Sequence, residues 1–139
     1  MTKEYRFNSF NEAMEAVKKY WWNLKYVRPD LQNLEMVLEA VKEWGFNLKY
    51  VRPDLQTPEM VLEAVKELRY NLEFVREDLI TPEMALEVVR CSGWTLEFVP
   101  AHLQTKEVIE AALKQNPSNS KFIKAKGLMM EALEEALND

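Results

Sequence analysis

The chain has 139 residues, 47% of them hydrophobic and 29% charged, and a formal net charge of −5. This suits one soluble domain with a real core, and the acidic balance argues against a general nucleic-acid binder, which needs a basic face to replace phosphate counterions. Three glycines disfavour an all-β fold rich in tight turns, the single cysteine Cys91 excludes an internal disulfide, and no apolar run approaches the roughly 20 residues of a membrane helix.

The start, Met1 to Arg6, lacks the apolar stretch of a signal peptide, so a cytoplasmic location is expected and no membrane partner. Ser9-Phe10-Asn11-Glu12 fits a capping box and opens the first helix. From there a 24-residue register governs the chain. Asn23-Leu24-Lys25-Tyr26-Val27 returns as Asn47-Leu48-Lys49-Tyr50-Val51, as Asn71-Leu72-Glu73-Phe74-Val75 and as Thr95-Leu96-Glu97-Phe98-Val99, and faintly as Asn119-Ser120-Lys121-Phe122-Ile123. A fixed short period means units too small to bury their own apolar faces, with a core shared between neighbours.

Each copy reads as two helices. Thr57-Pro58-Glu59 and Thr81-Pro82-Glu83 combine an N-cap, a proline suited to the first helical position and an acid at the positive helix end. Asn33-Leu34-Glu35 and Thr105-Lys106-Glu107 are weaker versions. The first helix of the second copy carries Met36, Val37, Leu38, Ala40, Val41 and Trp44, and is therefore expected to be covered on several sides. The second helix is short, with Asn23, Asn47, Asn71, Thr95 and Asn119 expected as its N-caps. Pro29 and Pro53 end it after about one and a half turns and lead into a tight turn or 3₁₀ segment. Glu77 replaces the proline in the third copy, where the helix is free to run on, and in the fourth the proline moves to Pro100.

After Asn116-Pro117-Ser118 the pattern degenerates, and Met129 takes the place of the N-cap. Either Lys126-Gly127 breaks the segment or one longer helix runs from about Asn119 to Ala136, its amphipathic tail sealing the core. The expected architecture is a single all-α domain over 1–139, a right-handed αα-superhelix or solenoid of 24-residue two-helix repeats. The units are approximately 9–32, 33–56, 57–80, 81–104 and 105–128, with degenerate capping repeats at both ends and a capping helix over 129–139.

Reading down the columns separates expected core from expected surface. Tyr26, Tyr50, Phe74, Phe98 and Phe122 form one aromatic column, and Trp22, Phe46, Tyr70 and Trp94 a second; both are expected in the core. Tyr20, Trp44 and Leu68 give way to Ser92 and Asn116, so this column is expected to be partly exposed, and Tyr20 and Trp44 are candidate contact residues. Lys18, Lys42, Lys66, Arg90 and Lys114 form a basic column, and the first four follow three residues after Glu15, Glu39, Glu63 and Glu87, the spacing of i,i+3 pairs on a solvated helix face. Arg28, Arg52 and Arg76 form a ladder with Asp30, Asp54 and Asp78 two residues on. Those arginines either line a groove for an acidic or phosphorylated partner or pair with the neighbouring aspartates.

No catalytic, metal-binding or cofactor-binding residue emerges. His102 and Cys91 lack partners in the pattern, there is no phosphate loop, and the carboxylates recur as copies rather than as one unique acid or base. No cofactor is expected, and a non-enzymatic scaffold binding a protein or peptide is the leading reading. Nucleic-acid recognition, one base per helical repeat, and a structural spacer without a ligand are the alternatives.

The unit Trp94-Thr95-Leu96-Glu97-Phe98-Val99-Pro100-Ala101-His102-Leu103-Gln104-Thr105-Lys106-Glu107 resembles a short repeat family of bacteria and giant viruses catalogued as a domain of unknown function, with units of the type Gly-Trp-x-Leu-x-Tyr-Val-Pro-x-x-Leu followed by Thr-Pro-Glu. Gly93-Trp94 and Gly45-Phe46 match its start, and Thr57-Pro58-Glu59 and Thr81-Pro82-Glu83 its end. The likeness covers about residues 20–115, and Arg-Pro-Asp in this chain departs from the family's leading proline. The resemblance implies tandem helical repeats and brings no reaction, cofactor or site residue.

Overall fold

In the computed structural model, residues 4–124 are described, together with Glu135 and Asn138. The expected capping helix over 129–139 lies outside the described residues apart from those two positions, as does the expected break at Lys126-Gly127. Five α-helices of ten residues each recur among the described residues: α1 Phe10–Lys19, α2 Leu34–Glu43, α3 Pro58–Glu67, α4 Pro82–Cys91 and α5 Lys106–Gln115. Each begins at an expected cap. The side chains of Ser9, Asn33, Thr57, Thr81 and Thr105 accept hydrogen bonds from the amides of Glu12, Met36, Met60, Met84 and Val108. In the first copy Glu12 also reaches back, accepting from the Asn8 amide at 2.9 Å.

The helices stop for a shared reason. The residue after each one, Tyr20, Trp44, Leu68, Ser92 or Asn116, adopts an extended conformation while its amide still bonds to the carbonyl four residues back. A six-residue 3₁₀ segment follows at once: Trp21–Tyr26, Gly45–Tyr50, Arg69–Phe74, Gly93–Phe98 and Pro117–Phe122. Shorter 3₁₀ turns succeed the first four, at Pro29–Leu31, Pro53–Leu55, Glu77–Leu79 and Ala101–Leu103.

Two expectations about the second helix are corrected. It is 3₁₀ throughout and starts two residues before the asparagines, which are therefore not its caps. Asn23, Asn47, Asn71 and Asn119 instead donate their side-chain amides to the carbonyls of Ala16, Ala40, Ala64 and Ala112, fastening each segment to the end of its own α-helix. Nor does the third copy run on at Glu77. Its segment ends at Phe74 and its short turn resumes at Glu77, in the register of the proline-bearing copies.

The molecule forms two compact units, Met1–Arg76 and Glu77–Asp139. In the first, α2 packs against both α1 and α3, and the six-residue segments of the first and third copies flank that of the second. Met36, Val37, Ala40 and Val41 of α2 and Met60, Val61, Ala64 and Val65 of α3 are buried. Leu24, Leu48 and Leu72, from the 3₁₀ segments, lie in the same core. Each buried Val, Leu or Met side chain among these contributes about 1.5–3 kcal/mol by leaving water. In the second unit α4 packs against α5, and α5 against the segments on either side of it in the chain. Val88, Val89, Leu96, Val108, Ile109 and Leu113 are buried there.

Candidate functional site

A 3₁₀ helix has three residues per turn, so side chains three apart eclipse and each segment presents three rows. The inner row buries Leu24 and Val27, Gly45, Leu48 and Val51, Leu72 and Val75, and Gly93, Leu96 and Val99; its first position is the half-buried Trp21 in the first copy and the exposed Arg69 in the third. A second row pairs an asparagine, half-buried at Asn23 and buried at Asn47, Asn71 and Asn119, with the half-buried ring of Tyr26, Tyr50, Phe74 or Phe122. The outer row carries Trp22 with Lys25, Phe46 with Lys49, Tyr70 with Glu73, and Trp94 with Glu97. The sequence predicts both aromatic columns in the core, and the structure corrects both expectations. The Tyr26 column is half-buried, while Trp22, Tyr70 and Trp94 are 45%, 37% and 43% exposed. The early helix stop followed by a three-residue turn puts these rings on the row facing water.

In the first unit the rings touch one another across copies. Tyr20, 44% exposed, stacks on Trp22 at 4.5 Å between centroids. Trp22 meets Trp21 edge-on at 5.4 Å, Trp21 meets Trp44 at 5.4 Å, and Trp44 meets Phe46 at 4.8 Å. Phe46 then contacts Tyr50, Tyr70 and Phe74 at 6.3, 6.4 and 5.5 Å. Eclipsing also places the Lys49 ammonium beside rings, 5.6 Å from Phe46, 5.8 Å from Tyr50 and 5.9 Å from Phe74. Lys25 lies 5.0 Å from Tyr26, whose ring is also covered by Arg6 at 3.7 Å. Beside this ridge runs an open groove of about 290 Å³, lined by Lys25, Lys49, Tyr50, Arg52, Phe74 and Tyr5 among others.

Of the candidate residues, Tyr20 and Trp44 belong to the ring cluster. The arginines form a separate ladder that ties copies together. Arg28 pairs with Asp30 at 3.1 Å, and Arg52 with Asp54 at 2.5 Å. Arg52 also donates to the Pro29 carbonyl at 3.1 Å, and Arg76 to the Pro53 carbonyl at 3.0 Å. The hydrogen bond from Arg52 holds the Asp54 carboxyl below its ordinary range. Two basic residues of the α-helices also reach across copies: Lys18 meets Glu35 at 3.4 Å and Arg90 meets Glu107 at 3.1 Å.

Behind the arginine ladder is a buried column that sequence reasoning missed. Gln32 donates to the Tyr50 carbonyl at 2.7 Å and accepts from the Arg52 amide at 2.7 Å. Gln56 does the same with Phe74 and Arg76, both at 2.8 Å, and Gln104 with Phe122 and Lys124 at 3.1 and 2.8 Å. The signal was present: a polar residue recurs just before the cap, where an exposed linker would drift. In the second unit a carboxyl pair stands apart. Glu110 is pushed up by its hydrogen bond with Glu135, and Glu135 is drawn down by Glu110 and by Lys106, with which it pairs.

Among the described residues no group of His, Cys, Asp and Glu is arranged to hold a metal ion, and no helix is long and apolar enough to cross a membrane. Neither a curated protein nor a solved structure matches the chain. A family profile matches twice in tandem, over residues 33–80 and 81–129, more than two thirds of the chain. Each match spans two of the 24-residue copies, so the family's unit is a pair. The pairing has a structural counterpart at the glycines. The Gly45 amide donates to Glu67 of α3 at 2.7 Å, and the Gly93 amide to Gln115 of α5 at 2.7 Å, each contact joining the two copies of one pair. The chain belongs to the family described as Domain of unknown function (DUF4116).

Proposed function

We propose that this chain is a non-enzymatic, right-handed αα-solenoid that binds a protein or peptide through the outer rows of its 3₁₀ segments. The observation that carries the reading is the connected ring cluster of the first unit, where Tyr20, Trp22 and Tyr70 are between 37% and 45% exposed. Clustered exposed aromatics offer large contact area at low entropic cost and are frequent anchors of interfaces. The non-enzymatic part is supported by the repetition of the polar columns, since a catalytic group is needed once and in one geometry. Arg28 and Arg52 spend their guanidinium groups on their own aspartates, which moves the emphasis of the site towards Tyr20, Trp44 and their neighbouring rings.

Selection from a displayed library of random peptides against the full chain tests this. Enrichment is expected on the native chain and loss of enrichment on the Tyr20→Ser/Trp22→Ser variant, with the helical circular-dichroism signal retained. No enrichment, or enrichment indifferent to that variant, overturns the reading.

A further inference from the structure

The groove of the first unit is unlike the rest of the surface in charge. The chain carries 23 acidic and 18 basic residues, yet three cations and no carboxylate line this groove. Arg52 is already committed to Asp54, which leaves Lys25 and Lys49. Neither lysine pairs with a carboxylate among the described residues; each instead lies beside rings. The cationic row is bounded by sequence, because the same position is Glu73 in the third copy. Groove and ridge meet at Tyr50 and Phe74, so anionic and apolar groups of one ligand can be met side by side.

We propose that this groove binds an acidic peptide segment, with Lys25 and Lys49 receiving its carboxylates while its apolar side chains lie along the rings of the first two copies. The proposal rests on the peptide-binding reading above and adds the chemistry of the partner. A lysine over a ring is poised for this task, since its ammonium is held near an apolar surface without being neutralised. Charge complementarity of this kind sets partner choice and association rate, and it weakens with added salt. A protein of net charge −5 with so short a basic row favours a peptide over a nucleic acid, which needs a longer run of phosphate contacts.

The peptides recovered from the library selection supply the probe, titrated against the full chain and two variants. The expected result is a recovered set rich in Asp and Glu interspersed with apolar residues. Lys25→Glu/Lys49→Glu should bind them about tenfold more weakly or worse, and Glu73→Lys, which extends the row, severalfold more tightly. Recovered peptides that need the rings but are neutral or basic overturn the acidic-partner inference and leave the ring reading intact. Acidic peptides indifferent to the lysine reversal overturn the groove as their site. A single-stranded oligonucleotide held more tightly than the peptides, through the same lysines, assigns the groove to nucleic acid and overturns it as well. A selection that enriches nothing overturns both readings together.

Discussion

At the residue scale, small differences between copies decide what each position does. Gly45 has no positive φ to explain it; what it supplies is space. A Cβ there would lie 2.7 Å from Glu67 Oε2, 3.0 Å from the Ala64 Cα and 3.2 Å from Asn71 Nδ2. The carboxylate can move aside, but the α3 backbone cannot. Overpacking of this sort costs about 1–3 kcal/mol, against a gain of up to about 1 kcal/mol from stiffening the unfolded chain. Gly45→Ala is therefore expected to destabilise by roughly 1–2 kcal/mol, read as a lower urea midpoint at unchanged m-value. An unchanged or higher midpoint would mean that α3 yields. The first and third copies place Trp21 and Arg69 at this position, which is how the pairwise unit of the family is written at a single column.

At the scale of elements, the glutamine clip explains a substitution that looks arbitrary in the sequence. Gln32, Gln56 and Gln104 each accept from a backbone amide 20 residues ahead. Before the fourth copy the position is Ile80, buried at 6% exposure. The residue 20 ahead is Pro100, which has no amide hydrogen to offer. A glutamine at 80 would bury an acceptor without its donor, and an isoleucine removes the problem. Ile80→Gln alone is expected to cost about 1–3 kcal/mol. Pro100→Arg restores the donor, so the double variant should recover part of that loss, with a favourable coupling of about 1 kcal/mol in a double-mutant cycle. Strict additivity would contradict the clip.

The same scale shows what was legible in the sequence. The five α-helices were, because Ser, Asn and Thr caps act locally and the apolar spacing is strong. The second helix was misread in type, because Asn47 and Asn71 suit a cap in isolation and only the structure shows them reaching seven residues back. Trp22 and Tyr70 were misplaced in the core for a related reason: their hydrophobicity was visible, but the row they occupy follows from a three-residue turn rather than a 3.6-residue one. Pairing of the arginines with the aspartates was one of two readings open at the start, whereas the crossing from Lys18 to Glu35 depends on helix packing that no single copy encodes.

At the scale of the whole molecule, repetition shapes both fold and function. Within the first unit the copies bury the same leucine and valine positions, so a core assembles from parts that have none alone. The outer row is released from that duty, and its drift from Trp22 with Lys25 to Tyr70 with Glu73 changes charge along the surface without disturbing the packing beneath. The repeat therefore presents different chemistry at each copy on a common frame, as a binding surface requires. The most direct measurement is a ¹⁵N NMR titration of the full chain with a recovered acidic peptide. Shifts are expected at the Trp22 indole and at the amides of Lys25, Lys49, Tyr50 and Phe74, with the exposed helical residues Leu34 and Leu62 unmoved. Shifts confined to those helix faces, with Lys25 and Lys49 silent, would contradict this expectation.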